Sequence, residues 1–185
     1  MMKPVRLLIL GTGGMAQHHA KGFSVIPGVS IVAGVDTRPD QLATFCKTFE
    51  IPNSFATLDE AILWGQFDAV TNVTPDAAHY PTTMPLLAAG KHVLCEKPLA
   101  TKAADAEDMA AAAQRARVVN MVNLSYRNVP ALQQAARMVR AGEIGTVRHF
   151  EASYLQSWLT QPAWGDWRTE SQWLWRLSSA HGSKG

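Results

Sequence analysis

Short apolar runs alternate with amphipathic segments along the first two thirds of the chain. The run at 5–10 (VRLLIL), which ends at a glycine, predicts a parallel strand buried on both faces. Similar runs predict further strands at 29–35, 68–73, 91–95 and 118–122, and apolar residues at helical spacing predict helices at 15–25, 40–49, 58–64, 79–89 and 101–117. This alternation predicts an α/β fold with a doubly wound parallel sheet. Gly90 is expected to end the fourth helix, and Thr101 is expected to be the N-cap of the fifth.

The pattern changes after residue 123. A helix is predicted from 131 to about 140 and, beyond a turn bracketed by Gly142 and Gly145, a strand from 146 to about 156. The next segment is rich in tryptophan but has no clean period, and we predict loop and short helix there: Trp158, Trp164, Trp167, Trp173 and Trp175.

A glycine-rich turn (GTGGMA, 11–16) joins the first strand to the first helix. Gly11 can take the tight turn, Gly13 lets the backbone approach a pyrophosphate, and the small Ala16 lets helix and strand pack closely. The start of the helix also offers unpaired N–H groups to the phosphates. This order of strand, turn, helix and strand predicts a Rossmann dinucleotide-binding domain, with these candidate cofactor-binding residues: Gly11, Thr12, Gly13, Gly14, Met15 and Ala16.

Asp36 ends the second strand, near the expected spacing of roughly 20 residues from the first glycine for an acid that binds the ribose 2′-hydroxyl. A free 2′-hydroxyl indicates NAD. Arg38 leaves an alternative open, because an arginine here can pair with the 2′-phosphate of NADP, or can be a solvated turn residue. NAD is favoured over NADP, since the carboxylate of Asp36 would repel that phosphate.

The bulk composition excludes several classes of protein. The 185 residues carry a net charge of +2 without a lysine or arginine cluster, which gives no indication of nucleic-acid binding. No stretch approaches the roughly 18 apolar residues of a membrane span, and the run at 5–10, interrupted by Arg6, is too short for a signal peptide. Two cysteines, Cys46 and Cys95, are too few and too far apart for a disulfide framework or a metal site. We therefore expect a cytoplasmic protein without a metal.

The segment at 90–100 (GKHVLCEKPLA) resembles the signature of the Gfo/Idh/MocA oxidoreductases, the glucose-fructose oxidoreductase and inositol dehydrogenase family. Further matches follow in the family's order and extend the resemblance over nearly the whole chain: 11–16, Asp36, Thr74-Pro75 with His79, Tyr126-Arg127 with Pro130, Gly142 with Ile144-Gly145, and Trp175-Arg176.

The resemblance implies an NAD(P)-binding domain at 1–122 and, at 123–185, the start of a second α/β domain that receives substrate and often mediates homo-oligomer assembly. It also implies hydride transfer between the nicotinamide and the carbinol carbon of a sugar, cyclitol or related polyol. Lys97 is then the catalytic candidate, near the nicotinamide and the substrate hydroxyl. The other residues implied to bind cofactor, or to lie near the domain boundary, are Thr74, Pro75, His79, Glu96, Arg127, Trp175 and Arg176.

Residue chemistry agrees with these roles but leaves alternatives. Lys97 can polarise the reacting oxygen and relay its proton, or it can be a surface lysine in a turn. His79 can line the cofactor, or cap and pack its helix. The tryptophans can be sugar platforms, or can pack in a core or subunit interface.

The family's next motif, an Asp and a His on a helix of the second domain, would follow the turn at 182–185. We therefore expect this chain to be a fragment of a longer enzyme, with His181 a loop residue, and to bind cofactor better than it turns over substrate. Two other functions are left open. One is a catalytically silent dinucleotide-binding sensor or inactive partner subunit, and the other is a Rossmann reductase acting on a tetrapyrrole or imine.

Overall fold

The computed structural model describes residues 3–157, 161, 165, 166 and 169. It divides the chain into two compact units, Met1–Asn123 and Leu124–Gly185. The first unit contains one six-stranded parallel sheet with helices on both faces, which confirms the predicted doubly wound α/β fold.

The elements of the first unit alternate between strand and helix. The strands are β1 (Val5–Leu10), β2 (Val29–Val35), β3 (Asn53–Phe55), β4 (Ala69–Asn72), β5 (His92–Cys95) and β6 (Asn120–Val122). The helices are α1 (Gly14–Ser24), α2 (Pro39–Thr48), α3 (Leu58–Trp64), α4 (His79–Ala88) and α5 (Ala103–Ala116), and a 3-10 turn (Asp76–Ala78) precedes α4.

The strands lie in the order β3-β2-β1-β4-β5-β6, so the sequence order reverses between β1 and β4. At the end of β1, Leu10 is opposite Val35 of β2 on one side and Asn72 of β4 on the other. The loops that follow these parallel strands therefore share one edge of the sheet. In open α/β sheets, ligands bind at this edge, in the crevice where the strand order reverses.

The centre of the sheet is buried on both faces. In β1, Leu8 and Leu10 belong to one apolar core, while Ile9 belongs to another that also contains Ala16 and Ala20 of α1. Ile9 and Leu8 are fully buried, which confirms that β1 is a strand covered on both sides.

One helix start was predicted wrongly, and one short strand was missed. The helix predicted from Thr101 begins at Ala103, after an extended Lys102 that caps it with no side-chain hydrogen bond. The backbone around Thr101 turns before the helical hydrogen bonds begin, so a threonine there cannot reach the first free amides. The three-residue strand β3 was not predicted, because it is too short to show a period.

The described part of the second unit contains a 3-10 turn (Ser125–Asn128) and one helix, α6 (Pro130–Arg140). Gly142 and Gly145 follow with positive φ angles, as a turn requires. The strand predicted from 146 to 156 was wrong: this segment has no ladder, because no other described segment pairs with it. The tryptophan-rich segment, including Trp175, Arg176 and His181, lies almost entirely outside the described residues.

Within the described part of the chain, every helix is too short or too polar to cross a lipid bilayer.

Candidate cofactor site

Gly11 makes the turn from β1 into the loop before α1. Its φ is +89°, and a Cβ built on it would lie 3.0 Å from both the carbonyl carbon and the oxygen of Val73. The fold itself therefore demands glycine here, for backbone conformation and for the close approach of the chain after β4. This confirms the tight turn predicted for Gly11.

Gly13 and Gly14 differ from Gly11, because the fold does not demand glycine at either position. The φ of Gly13 is −72°, and a Cβ on it would meet only the side-chain nitrogen of Gln41, at 3.7 Å. A Cβ on Gly14 would meet no atom of the described residues within 4 Å. The backbone here faces open space, next to a cleft of about 440 Å³ that runs between α1 and α2.

The start of α1 also carries free hydrogen-bond donors. In the described part of the chain, no acceptor takes the amides of Gly13, Gly14 and Met15, whereas the amide of Ala16 bonds to the carbonyl of Gly13 at 3.1 Å. Three successive free amides at a helix N-terminus, with open space before them, fit the pyrophosphate of a dinucleotide. Ala16 is fully buried, so it lets α1 pack closely on the sheet as predicted.

Asp36 follows β2 and lies 8% exposed beside the glycine turn. Its Oδ2 accepts from the amide and the hydroxyl of Thr12, both at 2.8 Å. Its Oδ1 accepts from the amide of Arg38 at 2.9 Å and from the Arg38 Nε at 3.2 Å. Burial alone would raise the pKa of Asp36, but these hydrogen bonds from Arg38 and Thr12 outweigh it and hold the pKa below its usual value. The carboxylate therefore stays charged where the ribose of a bound dinucleotide is expected.

Glu96 follows β5, and its carboxylate lies inside the fold, 7% exposed. Its Oε1 is 3.0 Å from the Nε2 of His19 and accepts from the Nδ2 of Asn123 at 2.6 Å. Its Oε2 accepts from the amide of Lys97 at 3.1 Å. Burial alone would raise the pKa of Glu96, but the hydrogen bonds from His19, Asn123 and Lys97 have the larger combined effect. The pKa is therefore lowered from 4.5 to about 2. The side chain predicted to lie on the cofactor thus makes its contacts within the protein.

The Lys97 side chain is exposed at the same edge of the sheet, just beyond β5. In the described part of the chain its ammonium takes part in no hydrogen bond or ion pair. An unpaired ammonium at the carboxyl end of a parallel strand is available to a ligand.

His79 begins α4 and is only 1% exposed. Its Nδ1 is 2.7 Å from the carbonyl oxygen of Pro98, and its Nε2 is 2.8 Å from that of Thr74. The ring therefore joins the loop after β4 to the loop after β5, and it has no free nitrogen to offer a cofactor. These contacts agree with the packing alternative for His79, and its lining role stays a prediction. Thr74 and the exposed Pro75 remain at the edge of the sheet, where the Thr74 amide and hydroxyl bond to Asn72.

The structure therefore brings most of the predicted residues to one edge of the first unit: residues 11–16, Asp36, Arg38, Thr74, Pro75, Glu96 and Lys97. Arg127 lies exposed in the 3-10 turn of the second unit, and its place near a domain boundary stays a prediction. Trp175 and Arg176 lie outside the described residues.

Sequence reasoning missed His19 and Asn123, the partners of Glu96. His19 carried a usable signal, because it follows Ala16 by three residues and therefore shares the buried face of α1. A polar side chain on such a face requires a buried partner. Asn123 carried none, since its contact with Glu96 arises only from the pairing of β5 with β6.

Comparison with known proteins places this site in a family. Residues 5–124 match the family model described as oxidoreductase family, NAD-binding Rossmann fold (GFO_IDH_MocA). Levoglucosan dehydrogenase from Pseudarthrobacter phenanthrenivorans is 27% identical, over 87% of this chain and 43% of that protein. The scyllo-inositol 2-dehydrogenase (NADP(+)) of Bacillus subtilis is 30% identical, over 82% of this chain and 46% of that protein.

A solved structure also supports the similarity to oxidoreductases. The crystal structure of an NAD binding oxidoreductase from Klebsiella pneumoniae superposes with a TM-score of 0.84 at 28% identity, covering 98% of this chain and 48% of that one. The chain thus spans slightly less than half the length of the proteins it matches. With its glycine turn, its Glu96-Lys97-Pro98 segment and the match over residues 5–124, the chain belongs to the Gfo/Idh/MocA family of oxidoreductases.

Proposed function

We propose that the protein is a nicotinamide-dependent oxidoreductase that transfers a hydride between NAD(P) and the carbinol carbon of a sugar, cyclitol or related polyol. One observation carries the proposal: the unpaired ammonium of Lys97 follows β5 at the same sheet edge where the free amides of Gly13 and Gly14 follow β1. An anion-binding turn and an unpaired cation therefore lie at the same edge of the sheet, where a crevice is expected. The relatives named as dehydrogenases of levoglucosan and scyllo-inositol support the substrate class.

The chain's own residues divide the work. A bound nicotinamide would supply the hydride acceptor, taking the hydrogen of the carbinol C–H bond together with both electrons of that bond. The free amides of the glycine turn hold the phosphates and so fix where the dinucleotide lies. In the reduction direction, the ammonium of Lys97 would donate a proton to the carbonyl oxygen as the hydride reaches the carbon. In the oxidation direction, the resulting amine would take that proton back from the hydroxyl, which leaves a carbonyl product. Both groups belong to rigid strand ends, which favours a fixed distance between the reacting carbons.

The cofactor part of this proposal is NAD in preference to NADP. The charged Asp36 lies where a 2′-phosphate would approach, and Arg38 is paired with it instead of being free: its Nη2 lies 3.3 Å from Oδ2. Competition between NADH and NADPH for the protein tests this preference. We expect NADH to bind more tightly, and Asp36→Ser to shift the preference towards NADPH. A wild-type protein that prefers NADPH would show that Arg38 dominates over Asp36.

The domain roles are part of the same proposal. Residues 1–122 bind the cofactor, and residues 123–185 begin a domain for substrate and homo-oligomer contacts. The division into two units after Asn123 supports this assignment. A cytoplasmic location is supported by the two buried free thiols, Cys46 and Cys95, which suit a reducing compartment.

Turnover by the complete gene product tests the proposed activity. The protein is mixed with NAD⁺ or NADP⁺ and a panel of cyclitols and sugars, and nicotinamide absorbance reports reduction. Lys97→Met should lower the rate at least roughly a hundredfold, far more than it lowers NADH affinity, because it removes the group that assists proton transfer. Lys102→Met, an exposed lysine before α5, is the matched control and should leave the rate unchanged. Equal rates for Lys97→Met and wild type would refute the role of Lys97.

A further inference from the structure

A buried network connects the helix that carries the glycine turn to the segment that carries Lys97. Its centre is the carboxylate of Glu96, which contacts His19 of α1 at 3.0 Å, Asn123 after β6 at 2.6 Å and the amide of Lys97 at 3.1 Å. The other ring nitrogen of His19 lies 2.7 Å from the hydroxyl of Thr71 in β4. Glu96 and His19 together therefore join α1, β4 and the segments that follow β5 and β6.

Every contact around Glu96 and His19 can be assigned one donor and one acceptor, so all of them can be hydrogen bonds at the same time. A carboxylate only accepts, so the Nε2 of His19 must carry the hydrogen of its contact with Glu96. The Nδ1 is satisfied by Thr71 in either protonation state of the ring, because a hydroxyl can donate or accept. The amide nitrogen of Asn123 donates to the same carboxylate oxygen. Each partner is therefore satisfied without a ligand, which distinguishes this cluster from a binding site awaiting one.

The network sets the backbone of Lys97 because Glu96 accepts from the amide of Lys97 itself. Fixing that peptide fixes the direction in which the Lys97 side chain leaves the chain. The other end of the network is His19, in the first turns of the helix whose free amides fit a pyrophosphate. The separation between the phosphate-binding turn and Lys97 is therefore held by hydrogen bonds through the interior.

We infer that His19 and Asn123 are positioning residues: acting through Glu96, they hold Lys97 at the nicotinamide end of a bound dinucleotide. This rests on the proposed function, in which Lys97 lies next to the nicotinamide. Neither residue needs to touch the ligand, since Glu96 transmits the effect to the amide of Lys97.

Loss of the network should affect the binding of two ligands differently, although both ligands contain the same pyrophosphate. ADP-ribose has the adenosine and the pyrophosphate of NADH but lacks the nicotinamide. Losing the network misplaces Lys97 but leaves the amides of Gly13 and Gly14 as they are. Asn123→Ala should therefore weaken NADH binding by roughly three- to tenfold, less than the loss of a hydrogen bond made directly to a charged group because the effect reaches Lys97 only through Glu96, and leave ADP-ribose binding unchanged.

Asn120→Ala is the matched control. Asn120 also lies in β6, and its buried Oδ1 has no hydrogen-bond partner among the described residues, so removing this amide leaves the contacts of Glu96 intact. Lys97→Met gives the size of the effect when the ammonium itself is lost. Glu96→Gln is a second test that keeps the shape of the side chain. Its amide cannot accept from His19, Asn123 and Lys97 at once, so it should show the same selective loss for NADH.

Titration of the whole chain with NADH and with ADP-ribose, alongside circular dichroism to confirm folding, decides between the outcomes. A loss for NADH alone in Asn123→Ala and Glu96→Gln, absent from Asn120→Ala, is the expected result. Equal losses for both ligands would show a purely structural network and overturn the inference, as would unchanged NADH binding in both variants. A folded wild-type protein that binds neither ligand would overturn the proposed function along with it.

Discussion

Substitution by alanine should lower the stability of the fold at Gly11 but the affinity for NADH at Gly13. At Gly11 the φ of +89° costs about 1–2 kcal/mol for any residue with a Cβ. Crowding against the backbone of Val73, 3.0 Å away, adds about 1–3 kcal/mol. Gly11→Ala should therefore lower the free energy of unfolding by about 2–5 kcal/mol.

Gly13→Ala should leave stability within about 0.5 kcal/mol of wild type, because its φ of −72° and its open surroundings accept a methyl group. The same methyl would stand in the space before the free amides and block a pyrophosphate. NADH affinity should then fall at least roughly tenfold, about 1.4 kcal/mol.

Urea denaturation followed by circular dichroism measures the stability of both variants, and nicotinamide fluorescence measures NADH affinity. A Gly11→Ala protein as stable as wild type would refute the close approach to Val73. If Gly13→Ala bound NADH as tightly as wild type, the open space before Gly13 would not be the phosphate site.

Three further changes test other contacts. The pKa of Glu96 is lowered from 4.5 to about 2, so the ionised carboxylate should stabilise the fold by about 3 kcal/mol above pH 4.5. This stabilisation should be lost as the pH falls towards 2, and the acid unfolding of Glu96→Gln should not show this loss. In Gly34→Ala, the new Cβ would lie 3.0 Å from the Sγ of Cys46, and urea denaturation should show a loss of about 1–3 kcal/mol. Thr57 caps α3 and forms a capping box with Glu60, so Thr57→Ala should cost about 1 kcal/mol of unfolding free energy.

Local pattern was enough to predict five of the six strands of the first unit, and missed the short β3. Strand β1 was readable because its core residues are contiguous, and Gly11 because only glycine suits a turn with positive φ. The N-cap at Thr101 was wrong, since two residues of turn precede α5 and sequence pattern does not fix the exact residue at which a helix begins. The strand at 146–156 was wrong because a strand depends on a partner that its own sequence does not contain.

A residue of the candidate site was predictable where its role depends only on its position just after a strand. Gly13, Asp36 and Lys97 all follow strand ends, and the topology brings such positions to one edge. The inward orientation of Glu96 was not predictable, because its partners His19 and Asn123 come from other elements far away in sequence. Burial of a charged group is decided by such tertiary contacts and not by the local pattern.

Fluorescence titration of the purified 185-residue chain with NADH, with circular dichroism on the same sample, determines whether the glycine turn binds a dinucleotide. We expect saturable binding of one NADH to each folded chain, since the free amides of Gly13, Gly14 and Met15 provide its phosphate site. A folded chain that leaves the fluorescence of NADH unchanged, and does not bind it in equilibrium dialysis, would show that these amides form no dinucleotide site.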